Sequence, residues 1–348
     1  KEYMAGKRRP RSGKKPSISE LRQDIVSGDW VVIATGRARR PDEFRGERRP
    51  AFIQPQDRCP FERVHPEVLL LHAADGKAAG DNWWAQAFPN KYPAFSRGAR
   101  AKMRKTGPYQ WAEGVGFHEV VATRDHTRSL AKMSLREAEL VIRAYQERYL
   151  EIKQSAAVKY ISIFHNHGRA AGATISHPHS QIIATPVIPP DVDRSIKGSA
   201  RYFHEEHACV HCTVIRYELR AKKRLVYENH RFLAVAPFGS KTAFELRIFP
   251  KAHSAHFEDM DGHSRADLAD ALRSVLAKLF QGLGNPDYNF FLHTAPTADH
   301  EEFRHYHWHF EILPKTAIWA GFEIGTGIEI SIIAPEDAAS FLKDVNVK

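Results

Sequence analysis

The residues best suited to chemistry lie in one short run, His177-Pro-His179-Ser-Gln181, which an apolar segment follows. Alternate side chains of a strand share a face, so the run predicts that His177, His179 and Gln181 project in the same direction. The proline removes one ladder donor, which predicts an edge strand or the first turn of a strand. A neutral imidazole can attack phosphorus and a carboxamide can donate to a phosphoryl oxygen, so the run favours phosphoryl chemistry. A histidine pair of this spacing is also typical of a metal site or a polar strand edge.

Two glycines, Gly168 and Gly172, bracket a short loop just before this run. Glycine allows the positive φ angles of tight loops, and backbone amides in such a loop can face an anion. The sequence therefore predicts a phosphate-binding loop beside the histidine pair.

A second histidine pair, His307-Trp-His309, occurs in the C-terminal half, and the elements before it follow the same order. In each half a strand is followed by a single histidine, a helix, a second strand and the pair. The single histidines are His126 and His253; 51 residues separate His126 from His177, and 54 separate His253 from His307. Self-similarity on this scale predicts an α+β fold made of tandem duplicated units, each an antiparallel sheet with one long helix.

The flanking pattern predicts the elements that must position these histidines. Ser134-Leu-Arg-Glu137 is a capping box, and the apolar positions after it recur every three or four residues, which indicates a long helix. Ser264 begins a similar pattern in the second half. Predicted strands cover residues 29–35, 116–122, 158–164, 231–237, 244–250, 288–292 and 305–314.

The second half supplies a candidate metal site, since its repeated histidines accompany a C-x-x-C. The four candidate ligands are Cys209, Cys212, His253 and His307. Closed Cys₂His₂ sets of this kind bind zinc and are structural. A redox pair or an incidental turn is the alternative interpretation of the two cysteines.

The first half supplies a mixed candidate set, namely Cys59, Glu62, His126 and His177. Glutamate stands where the second cysteine would be. Zinc accepts a carboxylate oxygen, but such a set is expected to bind it more weakly and with less selectivity. His65 remains open as a substitute ligand. We therefore expect zinc in up to two sites, with iron as an alternative in one.

The two histidine pairs differ in the residue that follows them. Gln181 follows the first pair and Glu311 the second. A carboxylate would repel a phosphorylated substrate, whereas a carboxamide can donate to it. The difference places the active site in the first half, with His179 attacking as the neutral imidazole and His309 serving as a structural relic.

Composition and charge limit the class of protein. Of 348 residues, 43% are hydrophobic and 26% charged, which is ordinary for a globular chain, and no apolar run reaches the roughly 18 residues of a membrane span. The three cysteines make an odd count, so we expect metal-bound thiols in a reducing, cytoplasmic compartment.

The net charge of +10 is concentrated at one end. Residues 1–17 hold seven lysines and arginines against one glutamate, which predicts a disordered basic tail. The modestly basic body suits a phosphorylated small-molecule substrate better than nucleic acid. The predicted organisation is a tail over 1–17, a catalytic unit over 18–190 and a second unit over 191–348.

The run from His177 to Gln181, with Asn166 and Gly168 before it, resembles the active-site motif of the galactose-1-phosphate uridylyltransferase family. That family belongs to the histidine-triad superfamily and includes ADP-glucose phosphorylases. The resemblance covers most of residues 20–335. Its other blocks are Gly28-Asp-Trp-Val-Val, Arg37, Arg40-Pro, Pro89-Asn-Lys-Tyr-Pro, Pro250-Lys-Ala-His253 and Gly321-Phe-Glu-Ile-Gly-Thr-Gly327.

The resemblance implies two tandem histidine-triad-like units and ping-pong nucleotidyl transfer. A nucleoside-diphosphate sugar would give its nucleotide to His179 and release a sugar 1-phosphate; a second sugar 1-phosphate, or phosphate, would then accept the nucleotide. Gln181 stands where triad hydrolases carry a third histidine, and in the transferases it holds the phosphoryl group and preserves the intermediate from water.

The resemblance also implies substrate contacts, some of them across a homodimer interface. Asn166 and Thr174 would line the phosphate pocket, and Asn90 would lie near the nucleotide. Arg37 and Arg40 would reach a nucleotide bound to the partner subunit. The sugar would contact Phe322 and Glu323.

Two features depart from the family pattern. Glu62 replaces the second cysteine of the C-P-F-C motif of zinc-binding relatives, and Ser180 with the run after Gly321 resembles the branch that uses ADP-glucose. We expect UDP-glucose:hexose-1-phosphate uridylyl transfer, as in galactose metabolism. Adenylyl transfer from ADP-glucose to phosphate is the alternative within the class. A nucleotidyl hydrolase, and a zinc-stabilised basic nucleic-acid-binding module, are the other hypotheses.

Overall fold

The computed structural model describes residues 18–34, 36, 44, 53–73, 82–297 and 301–347. The predicted tail over 1–17 and the two predicted nucleotide-binding arginines, Arg37 and Arg40, lie outside these ranges.

The described residues form fifteen strands and six helices. The strands are β1 Glu20–Gln23, β2 Trp30–Ile33, β3 Leu70–Ala73, β4 Trp83–Pro89, β5 Arg104–Thr106, β6 Tyr109–Trp111, β7 Phe117–Thr123, β8 Tyr160–His167, β9 His179–Thr185, β10 Leu225–Glu228, β11 Phe232–Val235, β12 Leu246–Pro250, β13 Tyr288–His293, β14 His309–Pro314 and β15 Glu329–Ser331. The helices are α1 Leu135–Ile152, α2 Pro190–Glu206, α3 Val210–Ala221, α4 Gly262–Leu283, α5 Gly321–Thr326 and α6 Pro335–Lys343.

Ten strands form one antiparallel sheet in the order β10-β11-β12-β14-β13-β8-β9-β7-β4-β3. Each half of the chain contributes five strands, and the halves meet where β13 pairs with β8. Outward from this junction the two halves repeat one layout: the strand after the long helix, the strand that begins at the second histidine of the pair, and the strand before the helix. The repeat confirms the predicted tandem α+β units with antiparallel sheets.

The two long helices pack against each other and against one face of this sheet. The capping box predicted for α1 is present, because the Ser134 hydroxyl accepts from the Glu137 N–H and the Glu137 carboxylate accepts from the Ser134 N–H. The main core contains side chains from α1, α4 and the sheet, such as Tyr145, Leu272 and Ile182. One face of β9 is therefore buried beneath helices, and the other is left for the site.

Three details differ from the sequence-based expectations. α4 begins at Gly262 rather than at Ser264, because Asp261 is the N-cap and its Oδ1 accepts from the Ser264 N–H at 2.7 Å. β9 lies inside the sheet, so the edge alternative is wrong; Pro178 directly precedes the first residue of β9, near the other predicted place, and removes no ladder bond. The second half also contains α2 and α3 before its sheet, in addition to the one long helix predicted for each unit.

A separate three-stranded sheet, β1-β2-β15, brings the two ends of the described chain together, because β15 pairs with β2 in parallel. The guanidinium of Arg22 donates to Glu336 in α6 at 3.0 Å. No helix among the described residues combines the length and the apolar character needed to cross a membrane.

Candidate active site and metal centres

His179 is the first residue of β9, on the face of the sheet opposite the helices. Its Nδ1–H donates to the His177 carbonyl at 2.8 Å, so in the neutral ring the lone pair lies on Nε2. Burial lowers the pKa of His179 below its usual value, which keeps the imidazole neutral at pH 7. The Phe61 ring lies 5.1 Å from the His179 ring. A neutral imidazole with a defined tautomer is suited to nucleophilic attack.

Ser180, which lies between His179 and Gln181, anchors β9 on the helix side of the sheet. Ser180 is buried, and its hydroxyl hydrogen-bonds Tyr145 of α1 and, at 2.9 Å, Nδ1 of His165. Burial lowers the pKa of His165 well below its usual value, so this ring is also neutral. These contacts hold β9 against the core and so set the position of the two polar residues on the other face.

Gln181 lies opposite Val120 of β7 in the strand register. His118, two residues earlier on the same face of β7, places its Nε2 at 2.7 Å from the Gln181 Oε1. His118 was not among the residues that the sequence predicted for the site. Gly116-Phe-His-Glu does alternate as a strand, but the contact depends on the β7–β9 register, which the sequence does not specify.

The glycine loop adopts the predicted conformation but uses its amides internally. Gly168 and Gly172 have φ values of 81° and 89°, and a Cβ on Gly168 would meet the Asp287 carboxylate at 2.0 Å. The Ala170 N–H donates to Asp287, and the next three amides donate to loop carbonyls. The predicted anion-binding role of these amides is therefore not supported by the geometry.

A surface cavity of about 600 Å³ lies beside this loop. Its lining residues are Ile53, Gln54, Pro55, Arg169, Gly172, Ala173 and Thr174. The backbone N–H of Thr174 makes no hydrogen bond within the described part of the chain, and its carbonyl accepts from the Gln54 Nε2 at 3.1 Å. Thr174 thus lines a cavity large enough for a phosphorylated ligand.

Asn166 and Asn90 lie on either side of the nucleophile strand. Asn166 is on β8, and its Oδ1 accepts from the Asn289 Nδ2 at 2.7 Å across the junction of the two halves. Asn90 follows β4, and its Nδ2 lies 3.0 Å from the His118 Nε2. Asn90 and Gln181 therefore approach the same nitrogen of one imidazole.

Phe322 and Glu323 lie on α5. Both side chains are solvent-accessible, and no hydrogen bond or ring contact between described residues joins either of them to His179. The sugar contact predicted for them would therefore need another arrangement, such as the predicted second subunit.

The predicted first-half ligands come together. Ligand atoms of Cys59, Glu62, His126 and His177 all lie within 4.8 Å of one another. The His177 Nδ1 is 3.5 Å from the Cys59 Sγ and 3.1 Å from the Glu62 Oε1, which also contacts the His126 Nδ1. His65 instead stacks on Phe88 at 4.5 Å and is not part of the cluster.

The predicted second-half ligands come together in the same way. Cys209 is the N-cap of α3, so Cys212 lies in the first helical turn. The Cys212 Sγ is 3.4 Å from the His253 Nδ1 and 3.5 Å from the His307 Nδ1. Among the described residues all three cysteines are free thiols, as expected for metal ligands rather than a disulfide framework.

All four candidate imidazole ligands are oriented by backbone carbonyls. The Nε2–H groups of His126, His177, His253 and His307 donate to the carbonyls of Gln54, Thr123, Arg304 and Pro250, respectively. In neutral rings this leaves each Nδ1 lone pair directed into its cluster, as in metal-ligating histidines with a supporting hydrogen bond. Both donor sets therefore fit a divalent metal.

The charges of the two clusters differ. In the second, a hydrogen bond from Cys209 and contacts with His253 and His307 hold the pKa of Cys212 far below its usual value. In the first, burial and the neighbouring Glu62 carboxylate raise the pKa of Cys59. The same thiol pairing raises the pKa of Cys209, so the second cluster holds one thiolate beside one thiol, and metal binding at either cluster requires a thiol to lose its proton.

A third cluster occupies the second-half position that corresponds to the nucleophile. His309 and His293 lie 3.5 and 3.8 Å from the Glu311 carboxylate. The Arg247 guanidinium also contacts Glu311, at 2.9 Å, and donates to Asp24 at 2.8 Å. The position that Gln181 holds in the first half is here a carboxylate paired with arginine, which leaves no neutral donor for a phosphoryl group.

The fold and these sites define a chain of two tandem α+β units with one candidate nucleophile. Family models described as the N-terminal and C-terminal domains of galactose-1-phosphate uridyl transferase match residues 13–189 and 195–345. The chain therefore belongs to the galactose-1-phosphate uridyl transferase family and is a nucleotidyltransferase of that family.

Similar proteins span 94–95% of the chain. ADP-glucose phosphorylase of Arabidopsis thaliana is 35% identical over 94% of this chain and 93% of its own length, and galactose-1-phosphate uridylyltransferase of Thermotoga maritima is 28% identical over 95% and 100%. The crystal structure of an ADP-glucose phosphorylase from Arabidopsis thaliana with bound ADP-glucose has a TM-score of 0.79 at 31% identity, covering 95% of this chain and all of that one.

Proposed function

We propose that the protein transfers a nucleotidyl group from a nucleoside-diphosphate sugar through a covalent intermediate on His179. The Nε2 lone pair attacks the α-phosphorus, a P–N bond forms, and the bridging P–O bond breaks to release a sugar 1-phosphate. The observation that carries the proposal is the Nδ1–H donated to the His177 carbonyl, because it presents Nε2 as the nucleophile in a ring that burial keeps neutral.

The second half-reaction returns the imidazole. A phosphate oxygen of the acceptor attacks the same phosphorus, the P–N bond breaks, and its electron pair returns to Nε2. Gln181 is proposed to donate to the phosphoryl oxygens in both steps. A neutral donor stabilises the developing charge without repelling either phosphorylated substrate.

For the donor we propose ADP-glucose, with inorganic phosphate as acceptor, so that glucose 1-phosphate and then ADP are released. This assignment is supported by the greater identity to ADP-glucose phosphorylase, 35%, than to the Thermotoga maritima uridylyltransferase, 28%, over 94% and 95% of the chain. It is also supported by Ser180, which resembles the ADP-glucose-using branch.

A second candidate is UDP-glucose:hexose-1-phosphate uridylyl transfer, the activity that the sequence first suggested. It is favoured by the description of both matching family models. The same nucleophile and carboxamide would act, and only the nucleobase and the acceptor would differ.

The two metal clusters are proposed to be structural. Cys209, Cys212, His253 and His307 would hold zinc in a closed set. Cys59, Glu62, His126 and His177 would hold zinc or iron less tightly. Metal in the first cluster would fix His177, and the His177 carbonyl holds the nucleophile in its tautomer.

A homodimer is proposed to complete the substrate site. Ile318 and Ile324, next to Phe322 and Glu323, are 94% and 74% exposed, so this face is apolar and open in the single chain. A second subunit covering it would bring Phe322 and Glu323 to the sugar, and Arg37 and Arg40 to the nucleotide. Sedimentation equilibrium tests this, since a monomer at micromolar concentration would contradict it.

The test of the function is intact mass after incubation with ADP-glucose or UDP-glucose without an acceptor. A mass increase equal to a covalently bound AMP group after ADP-glucose supports the first candidate. An increase equal to a bound UMP group after UDP-glucose supports the second candidate. Phosphate should discharge the AMP adduct and a hexose 1-phosphate the UMP adduct. If neither adduct forms and the protein binds DNA with a strong salt dependence, the basic nucleic-acid-binding module is the better account.

A further inference from the structure

Among the described residues, His118 is the polar side chain that lies on the same face as Gln181 and hydrogen-bonds it. Val120 lies opposite Gln181 in the β7–β9 register, so His118 is its diagonal neighbour on the same face. Diagonal neighbours are within reach of long and aromatic side chains. The Nε2 of His118 lies 2.7 Å from the Gln181 Oε1, a short distance for such a hydrogen bond.

The backbone fixes the tautomer of His118. The Ala94 N–H donates to the His118 Nδ1 at 3.0 Å. A backbone amide can only donate, so Nδ1 carries the lone pair, and the neutral ring carries its proton on Nε2. His118 is therefore a donor toward Gln181.

Asn90 does not reverse this assignment. Its Nδ2 lies 3.0 Å from the same His118 Nε2, while its Oδ1 accepts from the Tyr92 N–H at 2.9 Å. With the proton on Nε2, the hydrogen bonds from Ala94 and to Gln181 are both satisfied. With the proton on Nδ1, the Ala94 N–H would face another N–H; a backbone amide cannot exchange donor for acceptor, whereas side-chain carboxamides can reorient, so Ala94 decides the tautomer.

A donor at this position determines which way the Gln181 carboxamide points. The Oε1 must face His118, because the opposite flip would set an amide N–H against Nε2–H. The Gln181 Nε2 makes no hydrogen bond within the described part of the chain. The amide donors are therefore available to a ligand.

We propose that His118 is a positioning residue that fixes the flip of Gln181, so that the carboxamide N–H groups rather than its oxygen meet the transferred phosphoryl group. This inference rests on the proposed function of His179 and Gln181. His118 acts through Gln181 and need not touch the substrate. Without His118 the Gln181 carboxamide adopts both of its orientations. In one of them its oxygen faces the phosphoryl oxygens and repels them.

The test is a double-mutant cycle on single-turnover formation of the nucleotidyl adduct. His118→Ala should lower the rate at saturating nucleotide sugar by about tenfold to a hundredfold, a loss typical of a misplaced site group, while the half-saturating concentration stays nearly constant. In a Gln181→Ala background His118→Ala should add nothing. His118→Gln, which keeps a donor nitrogen, should recover most of the rate.

A matched control is His72→Ala, a mostly buried histidine of the same sheet that pairs with Glu147 and should leave the rate unchanged. An unchanged rate in His118→Ala, or additive losses in the double variant, would overturn the inference.

A second measurement separates this inference from the proposed function. In protein labelled with ¹⁵N-histidine, the His118 signals, assigned by their loss in His118→Gln, should show a protonated Nε2 and an unprotonated Nδ1 without any substrate. The opposite tautomer overturns the positioning role whatever the enzyme does. If the wild type forms no adduct with any nucleotide sugar, the proposed function is wrong. The His118 tautomer still tests the hydrogen bond from His118 to Gln181 in that case.

Discussion

Glu62 contacts three side chains, so it is central to the first metal cluster. Its Oε1 contacts His126 and His177, and its Oε2 accepts from the Gln56 Nε2 at 2.7 Å. Burial alone would raise the pKa of Glu62, but the Gln56 hydrogen bond and the close His126 ring hold it below its usual value. The carboxylate is therefore charged and ready to accept a metal, although it is a harder ligand than the thiolate of the second cluster.

Glu62→Cys should increase zinc affinity at the first cluster, because it restores two thiolate ligands. The reciprocal variant Cys212→Glu is the matched control and should weaken the second cluster. Competition with a chromophoric chelator measures both. In the wild type we expect zinc to leave in two phases, and Glu62→Cys should slow the faster phase. If only Cys212→Glu changes the faster phase, the first cluster is not the weaker zinc site.

Gln181→Glu should slow formation of the nucleotidyl adduct by about a hundredfold or more, because a carboxylate there repels the phosphoryl oxygens and removes a donor. Quenched single turnovers measure the rate, and Gln154→Glu, on an exposed residue after α1, is the charge-matched control. A Gln181→Glu enzyme as fast as the control would remove the physical reason for placing the active site in the first half.

At this scale residue types and spacing predicted both ligand clusters, because C-x-x-C, the single histidines and the pairs recur at matched intervals. The same reasoning missed His118, whose role depends on a strand register. It also predicted that the loop amides are open to an anion. In the structure the Ala170 N–H donates to Asp287, a residue 119 positions from Gly168. Contacts between distant segments of this kind are not encoded in local spacing.

Among the elements, α1 is the one whose start the sequence specifies most fully. Ser134→Ala removes the side-chain half of the capping box and should reduce the free energy of unfolding by about 1 kcal/mol. Urea unfolding measures the change. Ser96→Ala is the control, since its exposed hydroxyl makes no hydrogen bond among the described residues, and an equal loss in both variants would refute the cap's contribution.

Other elements were harder to predict. α2 has recognisable start signals, Pro190 at its first turn with Asp191 and Asp193, yet it was not predicted because the histidine-based repeat contains no counterpart. The interior position of β9 could not be inferred from Pro178, because the strand begins one residue later.

For the whole molecule, the ion pairs around Arg247 connect the chain's first segment to the second-half sheet. Arg247 on β12 contacts Asp24 after β1, Glu245, and Glu311 on β14. Glu245 is buried, and that burial raises its pKa to about 7. The sequence predicted the duplication that forms this sheet, but not the pairs, because Asp24 belongs to no repeated element.

Arg247→Met should destabilise the protein by about 3–5 kcal/mol, because it leaves buried carboxylates without their cation. Chemical denaturation measures the loss. Arg143→Met, which breaks a pair on the surface of α1, is the control and should cost less than about 1 kcal/mol. Similar losses in the two variants would show that the Arg247 cluster does not hold the second half together.

The most direct test of the central claim is to locate the nucleotide on the chain by peptide mapping after reaction with ADP-glucose or UDP-glucose in the absence of an acceptor. We expect the nucleotide on His179 in the wild type and in His309→Ala, and none in His179→Ala. A nucleotide on any other residue, or no labelled residue with either nucleotide sugar, would contradict the account.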